Sequence, residues 1–202
     1  LKGILSNETL LINVFIKELQ EVVKLFNTER RSKIESEVEE IVINKMSMIP
    51  NEKTVITVSR DGYIKRVSLR SYQSSEGVIP ALKDGDELIG ISEAETYDNL
   101  LLFNDNGSYA IIPLYTLDEM KWKDLGNHYG HYVKTEDHTK LRSAILVKSF
   151  NTDAYIVSVT EKGFIKKSII KDYQVTRTSK TYDAMNLTKN DKVVSNFVAY
   201  YE

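Results

Sequence analysis

At 202 residues the chain has room for one or two domains, and a hydrophobic content of 42% is ordinary for a protein with a sizeable core. The lack of cysteine excludes disulfides, thiolate zinc sites and cysteine nucleophiles, and agrees with a reducing compartment. A formal net charge of −2 excludes wholesale basicity, and no apolar run approaches the roughly 18 residues of a membrane span.

Leu1 is not a start residue, so a fragment of a longer polypeptide is expected, and a missing signal peptide says little. Leu11, Val14, Phe15, Val22, Leu25 and Phe26 recur at helical spacing, with Lys17, Glu18, Glu21 and Lys24 on the other face. The spacing predicts an amphipathic helix over 7–26, N-capped by Ser6 or Asn7 and burying Leu11, Phe15, Val22 and Phe26. Such a helix is marginal alone and is expected to pack on something outside this chain or on the start of the β unit. Asn27-Thr28 breaks the pattern, and Glu39 to Ile43 reads as extended. Pro50-Asn51 marks a boundary, which gives a helix and linker over 1–48 and a β unit over 49–202.

Within the β unit one hairpin recurs. Tyr155 to Tyr173 carries β-branched Ile156 to Thr160, the turn Glu161-Lys162-Gly163, and a second run from Phe164 to Ile170. Val55 to Tyr72 aligns with it without a gap: Gly62 on Gly163, Tyr63 on Phe164, Lys65-Arg66 on Lys166-Lys167, Arg70 on Lys171. A weaker copy runs from Leu100 to Leu114 around Gly107. Hairpins are therefore expected over 55–69, 100–114 and 156–170, each with a type I turn closed by a glycine bulge. Leu82 to Ile89 and Leu187 to Val194 form a second recurring element, a polar turn entering an apolar strand. Repeats of roughly 40 to 50 residues made of strands point to a mainly β chain of radially arranged blades, at about 52–97, 98–150 and 151–202.

Catalytic signatures are absent: no phosphate loop, no His-Glu-x-x-His, no Gly-x-Ser-x-Gly. His128, His131 and His138 fit no common metal spacing and read as loop residues. Trp122, between Lys121 and Lys123, reads as an anchor ring whose neighbours stay in water. From Ala154 onward eight Lys/Arg face five Asp/Glu, so a basic edge on a near-neutral module is available to a polyanion.

The strings Ser59-Arg-Asp-Gly-Tyr-Ile-Lys-Arg, Ser68-Leu-Arg-Ser-Tyr, Leu82-Lys-Asp-Gly-Asp, Lys121-Trp-Lys-Asp-Leu-Gly and Gln174 through Leu187 carry a resemblance, supported by Asn27-Thr-Glu-Arg-Arg-Ser and Ile49-Pro. In this order they resemble the A subunit of bacterial DNA topoisomerase IV, from the end of its coiled-coil region into its C-terminal β-pinwheel, a relative of the gyrase A subunit. Gyrase carries a Gln-Arg-Arg-Gly-Gly-Lys-Gly box after the first hairpin's tyrosine; here Gln73-Ser-Ser-Glu-Gly-Val-Ile stands instead. The loss of the basic residues favours the topoisomerase IV type over gyrase-type wrapping.

The resemblance implies a module that binds and bends duplex DNA and positions it for decatenation and supercoil relaxation. It implies phosphate contacts from Arg60, Lys65, Arg66, Arg70, Lys121, Lys123, Lys162, Lys166, Lys167, Lys171, Arg177 and Lys180. The family's catalytic tyrosine lies upstream, so no catalytic or metal residue is expected here, and ATP and magnesium act elsewhere in an ATP-dependent enzyme. Implied partners are double-stranded DNA, a second A subunit, and the B subunit of a heterotetramer, with no membrane, in the bacterial cytoplasm at the nucleoid. The competing readings are a protein-interaction propeller without DNA binding and an enzyme with a central site.

Overall fold

The computed structural model describes residue 3, residues 6–28, residue 32 and residues 49–75, 77–135 and 139–200. The chain divides into two units, Leu1–Ile43 and Asn44–Glu202. The first contains α1, Glu8–Phe26. Asn7 caps it, its side-chain oxygen accepting the N–H of Thr9 at 3.1 Å and of Leu10 at 3.5 Å. Glu8 in the first turn and Lys24 in the last complement the helix dipole. No residue of α1 is buried: Leu11, Phe15, Val22 and Phe26 are between 45% and 75% exposed, against the expectation that they are covered. Periodicity places an apolar face on a helix but does not supply what covers it. The extended stretch expected at Glu39 to Ile43 lies outside the described residues.

The second unit repeats one antiparallel arrangement three times. A hairpin is followed by a return strand that pairs with the hairpin's first strand. In the first copy β1 is Lys53–Ser59, β2 is Tyr63–Ser68 and β3 is Leu88–Glu95, with the short helix α2, Leu69–Gln73, after the hairpin. In the second, β4 is Asn99–Asn104, β5 is Ser108–Pro113, β6 is Asn127–His128 and β7 is Leu141–Val147. In the third, β8 is Ala154–Thr160, β9 is Ile165–Ile169, β10 is Tyr182–Asp183 and β11 is Val193–Tyr200. The sheet orders are β3-β1-β2-β6, β10-β5-β4-β7 and β11-β8-β9. Thus β6 leaves the second repeat to complete the first sheet, and β10 leaves the third to complete the second.

The three hairpin turns share one construction. The glycine N–H of Gly62, Gly107 and Gly163 donates to the carbonyl of Ser59, Asn104 and Thr160 at 3.1, 3.2 and 3.0 Å. Each glycine has positive φ, +95°, +84° and +84°, which an L side chain adopts only at a cost. The turn is then tied to the return strand. The N–H of Arg60, Asp105 and Glu161 donates to the carbonyl of Glu87, Lys140 and Lys192 at 2.8, 2.9 and 2.9 Å.

In the outer two repeats a carboxylate completes the tie. Asp86 Oδ1 accepts the N–H of Asp61 and Glu87, and Asp191 Oδ1 accepts that of Lys162 and Lys192, at 2.8–3.2 Å. Burial alone would raise the Asp86 carboxyl, but the Ser59 hydroxyl, the two N–H groups and the Lys140 charge outweigh it and hold it below its ordinary value. At Asp191 desolvation is likewise outweighed, by the Thr160 hydroxyl, the N–H groups of Lys162 and Lys192, and the Lys162 charge.

The middle sheet is buried on both faces. From β4, Leu100 and Leu102 join Ile56, Ile64, Ile112 and Tyr129 in one core, while Leu101 and Phe103 join Ile111, Ile156, Ile170 and Tyr173 in another. This two-sided burial explains the unbroken Leu-Leu-Leu-Phe run where a half-exposed strand would alternate. β3 lies beside β7 and β7 beside β11, so these return strands form the inner side and the second hairpin strands the outer side.

Two predictions follow from this geometry. A Cβ at Gly107 would overlap the Met185 carbonyl oxygen, whereas at Gly163 it would meet nothing within 4 Å. Gly163→Ala should therefore cost only the left-handed penalty of about 1–2 kcal/mol, and Gly107→Ala distinctly more, in urea unfolding. The depressed carboxyls contribute stability that is complete above the unfolded value of about 3.9 and lost as pH falls through the lower folded values. The double variant Asp86→Asn, Asp191→Asn should be less stable at neutral pH, and its stability should fall less than the wild type's on acidification below about pH 4.

Candidate nucleic-acid interface

Strand alternation decides which cations on β2 can reach a ligand. Register pairs Thr57 with Lys65 and Val55 with Val67, so Lys65 shares the face of Val55 and Val67. That face is closed by Trp122, which packs with Val55 and Val67 and lies 5.0 Å from the Tyr72 ring. Lys65 is consequently 2% exposed. Its Nζ donates to the carbonyls of Trp122 at 2.8 Å and Asp124 at 2.6 Å and sits 5.6 Å from the Trp122 ring centroid. Burial pushes its ammonium below the ordinary lysine value, with the Asp124 charge opposing. The structure therefore removes Lys65 from the expected phosphate contacts: the side chain holds a loop in place.

Its neighbour Arg66 is half-buried on the opposite face, its Nε donating to the Leu117 carbonyl at 3.1 Å. The Met120 N–H returns to the Arg66 carbonyl at 2.8 Å. These bonds bring the 117–124 loop against β2 and α2. Trp122 is buried, and its Nε1–H donates to the Val78 carbonyl at 2.6 Å. Lys121 and Lys123 on either side are exposed, as expected of an anchored ring with wet neighbours. With Ser71, Ser74 and Ser75 they line an open cavity of about 430 Å³ floored by Trp122. Arg70, on α2, is exposed.

The third repeat presents a second group. Lys167 is exposed, its Nζ 4.0 Å from the Tyr155 ring centroid, and Lys171 is exposed in the turn that follows β9. Lys166 Nζ donates to the Ala184 carbonyl at 2.5 Å, and Lys162 Nζ donates to the Lys189 carbonyl. The segment leading to β10 carries Arg177, whose Nε donates to Ser179 Oγ at 3.2 Å, and Lys180, whose Nζ lies 4.7 Å from the Tyr182 ring centroid. Arg60 is paired with Glu87 at 2.6 Å.

The second repeat has Ala110 and Ile111 where Lys65 and Arg66 stand, and both are buried. One cation that sequence reasoning missed is Lys134. Its N–H donates to the Ser179 carbonyl at 3.0 Å, and its backbone pairs with that of Lys180, which places an exposed lysine beside Arg177 and Lys180. It lies outside every hairpin, so no repeat position marks it. Of the histidines, His128 Nδ1 accepts the Gly130 N–H at 3.1 Å and His131 meets the Tyr132 ring edge-on, while His138 lies outside the described residues.

Comparison with known proteins agrees with this architecture. The family model described as the DNA gyrase C-terminal domain, beta-propeller, matches residues 53–94, 98–148 and 154–198. The A subunit of DNA topoisomerase 4 from Staphylococcus aureus strain MRSA252 is 41% identical over 195 residues, and that of strain NCTC 8325 / PS 47 is 40% identical. Each alignment spans 96% of this chain but 24% of the relative, so the chain is about a quarter of the length of these proteins. A crystal structure of the C-terminal domain of DNA topoisomerase IV superposes with a TM-score of 0.69 at 38% identity, over 75% of this chain and 47% of that one. The E. coli ParC C-terminal domain shares the fold at 14% identity, with a TM-score of 0.57 over 73% of this chain and 56% of that one. No helix among the described residues is long and apolar enough to cross a membrane. Three hairpin repeats with shared turns, matched along the β unit by a single model, make the chain a member of the DNA gyrase C-terminal domain, beta-propeller family.

Proposed function

We propose that the β unit binds duplex DNA along its outer side, through phosphates rather than bases, as part of a type IIA topoisomerase A subunit of the topoisomerase IV kind. The observation that carries this reading is positional. Arg66 and Arg70 of the first repeat and Lys167 and Lys171 of the third occupy equivalent places on the outer strands and the turns after them, with Arg70, Lys167 and Lys171 exposed. Lys121 and Lys123 add to the first group, and Lys134, Arg177 and Lys180 supply cations at the middle sheet, whose own hairpin has none at these positions. Separate cationic groups on one curved side neutralise successive phosphates, release counterions and favour a bent duplex without reading sequence. In a complete enzyme, with a second A subunit and the ATP-using B subunits, such a module would hold one duplex segment near the site of strand passage.

The reading is tested by replacing Arg66, Arg70, Lys121, Lys123, Lys167 and Lys171 together with glutamine. Duplex affinity should fall alike for unrelated sequences, and the log–log salt slope should flatten by about 0.9 for each phosphate no longer neutralised. Unchanged affinity and slope would remove the assignment. Lys65→Met separates structure from binding: leaving two carbonyls without their donor should lower stability by roughly 1–3 kcal/mol in urea unfolding while the salt slope stays that of the wild type.

A further inference from the structure

The segment between α2 and β3 turns at Gly77, whose φ is +79°. After the turn it presents two apolar side chains in a row. Val78 is 60% and Ile79 76% exposed, and among the described residues of the β unit no large apolar side chain is more exposed than Ile79. Single exposed apolar residues are ordinary, whereas adjacent ones rimmed by charge mark a contact surface.

The pair is held in place. The Val78 N–H donates to the Ser75 carbonyl at 3.0 Å, and the Val78 carbonyl accepts the Nε1–H of buried Trp122 at 2.6 Å. Ser75 is itself fixed, its hydroxyl donating to the Tyr72 carbonyl at 2.6 Å, and Pro80 on the other side is buried. Main-chain bonds to a core tryptophan thus keep the two side chains in water, with little conformational freedom left to lose on binding.

The surroundings narrow the choice of partner. Val78 lines the Trp122 cavity with Lys121 and Lys123, and among the described residues that line it there is no carboxylate. Arg70 is exposed on α2, which leads into the segment. The fitting partner is therefore a polyanion with apolar surface between its charges. The minor groove of B-form DNA has that character: walls of deoxyribose C–H about 6 Å apart, between two rails of phosphate. Bending a duplex toward the unit narrows the groove that faces it.

We infer that Val78 and Ile79 form an apolar tip that enters the minor groove of the duplex and packs on its deoxyribose walls, with Lys121 and Lys123 on the flanking phosphates. This rests on the DNA-binding reading above and adds to it a choice of nucleic acid. The sugars are the same in every sequence, so the tip reads no bases. An A-form RNA duplex has a wide, shallow minor groove lined by 2′-hydroxyls, which offers the tip neither close walls nor apolar surface. The tip thus favours DNA over RNA, a preference that phosphate contacts alone do not create.

The test compares the 202-residue chain with the variant Val78→Ser, Ile79→Ser on a DNA duplex and an RNA duplex of the same sequence, across a salt series. Unchanged emission from Trp122, the single tryptophan, shows that the loop is intact. If that emission shifts, Ile79→Ser alone takes the place of the pair and should show the same selective loss, smaller in size. The double variant should lose about tenfold on DNA and nothing on RNA, with the wild type's log–log salt slope on both, because no phosphate contact is removed. Equal loss on DNA and RNA, or no loss on either, would overturn the tip. So would a flatter slope, which reports lost phosphate contacts. An unaltered chain that binds DNA with a steep salt slope, but no better than RNA, would overturn the tip alone. An unaltered chain that binds neither duplex would overturn the DNA-binding reading and the tip with it.

Discussion

A hairpin with one return strand leaves the outer edge of its second strand bare, and this constraint shapes the unit. Backbone N–H and C=O groups need partners wherever water is kept out. The first two repeats meet that need by borrowing two residues from the repeat that follows. The borrowed residues bring a loop with them, and the loop covers the outer strand. Around β2 the loop delivers Trp122 onto Val55 and Val67 and places the Trp122 and Asp124 carbonyls over Lys65. The buried Tyr129 ties the same segment back to its own repeat, its hydroxyl within 2.9 Å of Asn104 Oδ1. Adjacent sheets are thus joined by the exchanged segments as well as by the two apolar cores.

This arrangement also sorts the cations. At β2 the incoming loop encloses the side chain on one face, Lys65. It leaves the one on the other, Arg66, half-exposed with a single bond to the Leu117 carbonyl, while the cations in the turns beyond stay outside. Lys65 and Arg66 are adjacent in sequence yet meet different fates, because successive side chains of a strand point to opposite faces. The charges left on the outside come from hairpins in the first and third repeats and from exchange loops in the first and second sheets. Neither source alone would carry cations past all three sheets. The near-neutral total charge hides this, since many acidic groups serve other ends, such as Asp86 and Asp191 at the turns.

The hairpins were legible in the sequence because their causes are local: β-branched runs, a glycine at the position of positive φ, and a repeat that aligns without a gap. Asn7 as a helix cap was legible for the same reason. The two-residue strands β6 and β10 were not, because their strand character comes from a partner far away in sequence and no local pattern announces it. The role of Lys65 was hidden likewise, since its acceptors lie in a loop that only the exchange brings near. Lys134 depends on the backbone pairing with Lys180. The exposed face of α1 marks the opposite limit: periodicity located that face, but burial depends on what lies against it.

The central claim is that the outer side of the β unit recognises the charge and shape of duplex DNA and not its sequence. The measurement closest to it is the affinity of the unaltered chain for two short duplexes of unrelated sequence across a series of salt concentrations. The account predicts two nearly superimposed log–log lines, both falling with a slope that corresponds to several phosphates at about 0.9 each. Binding that is flat with salt, or that belongs to one duplex only, would contradict it.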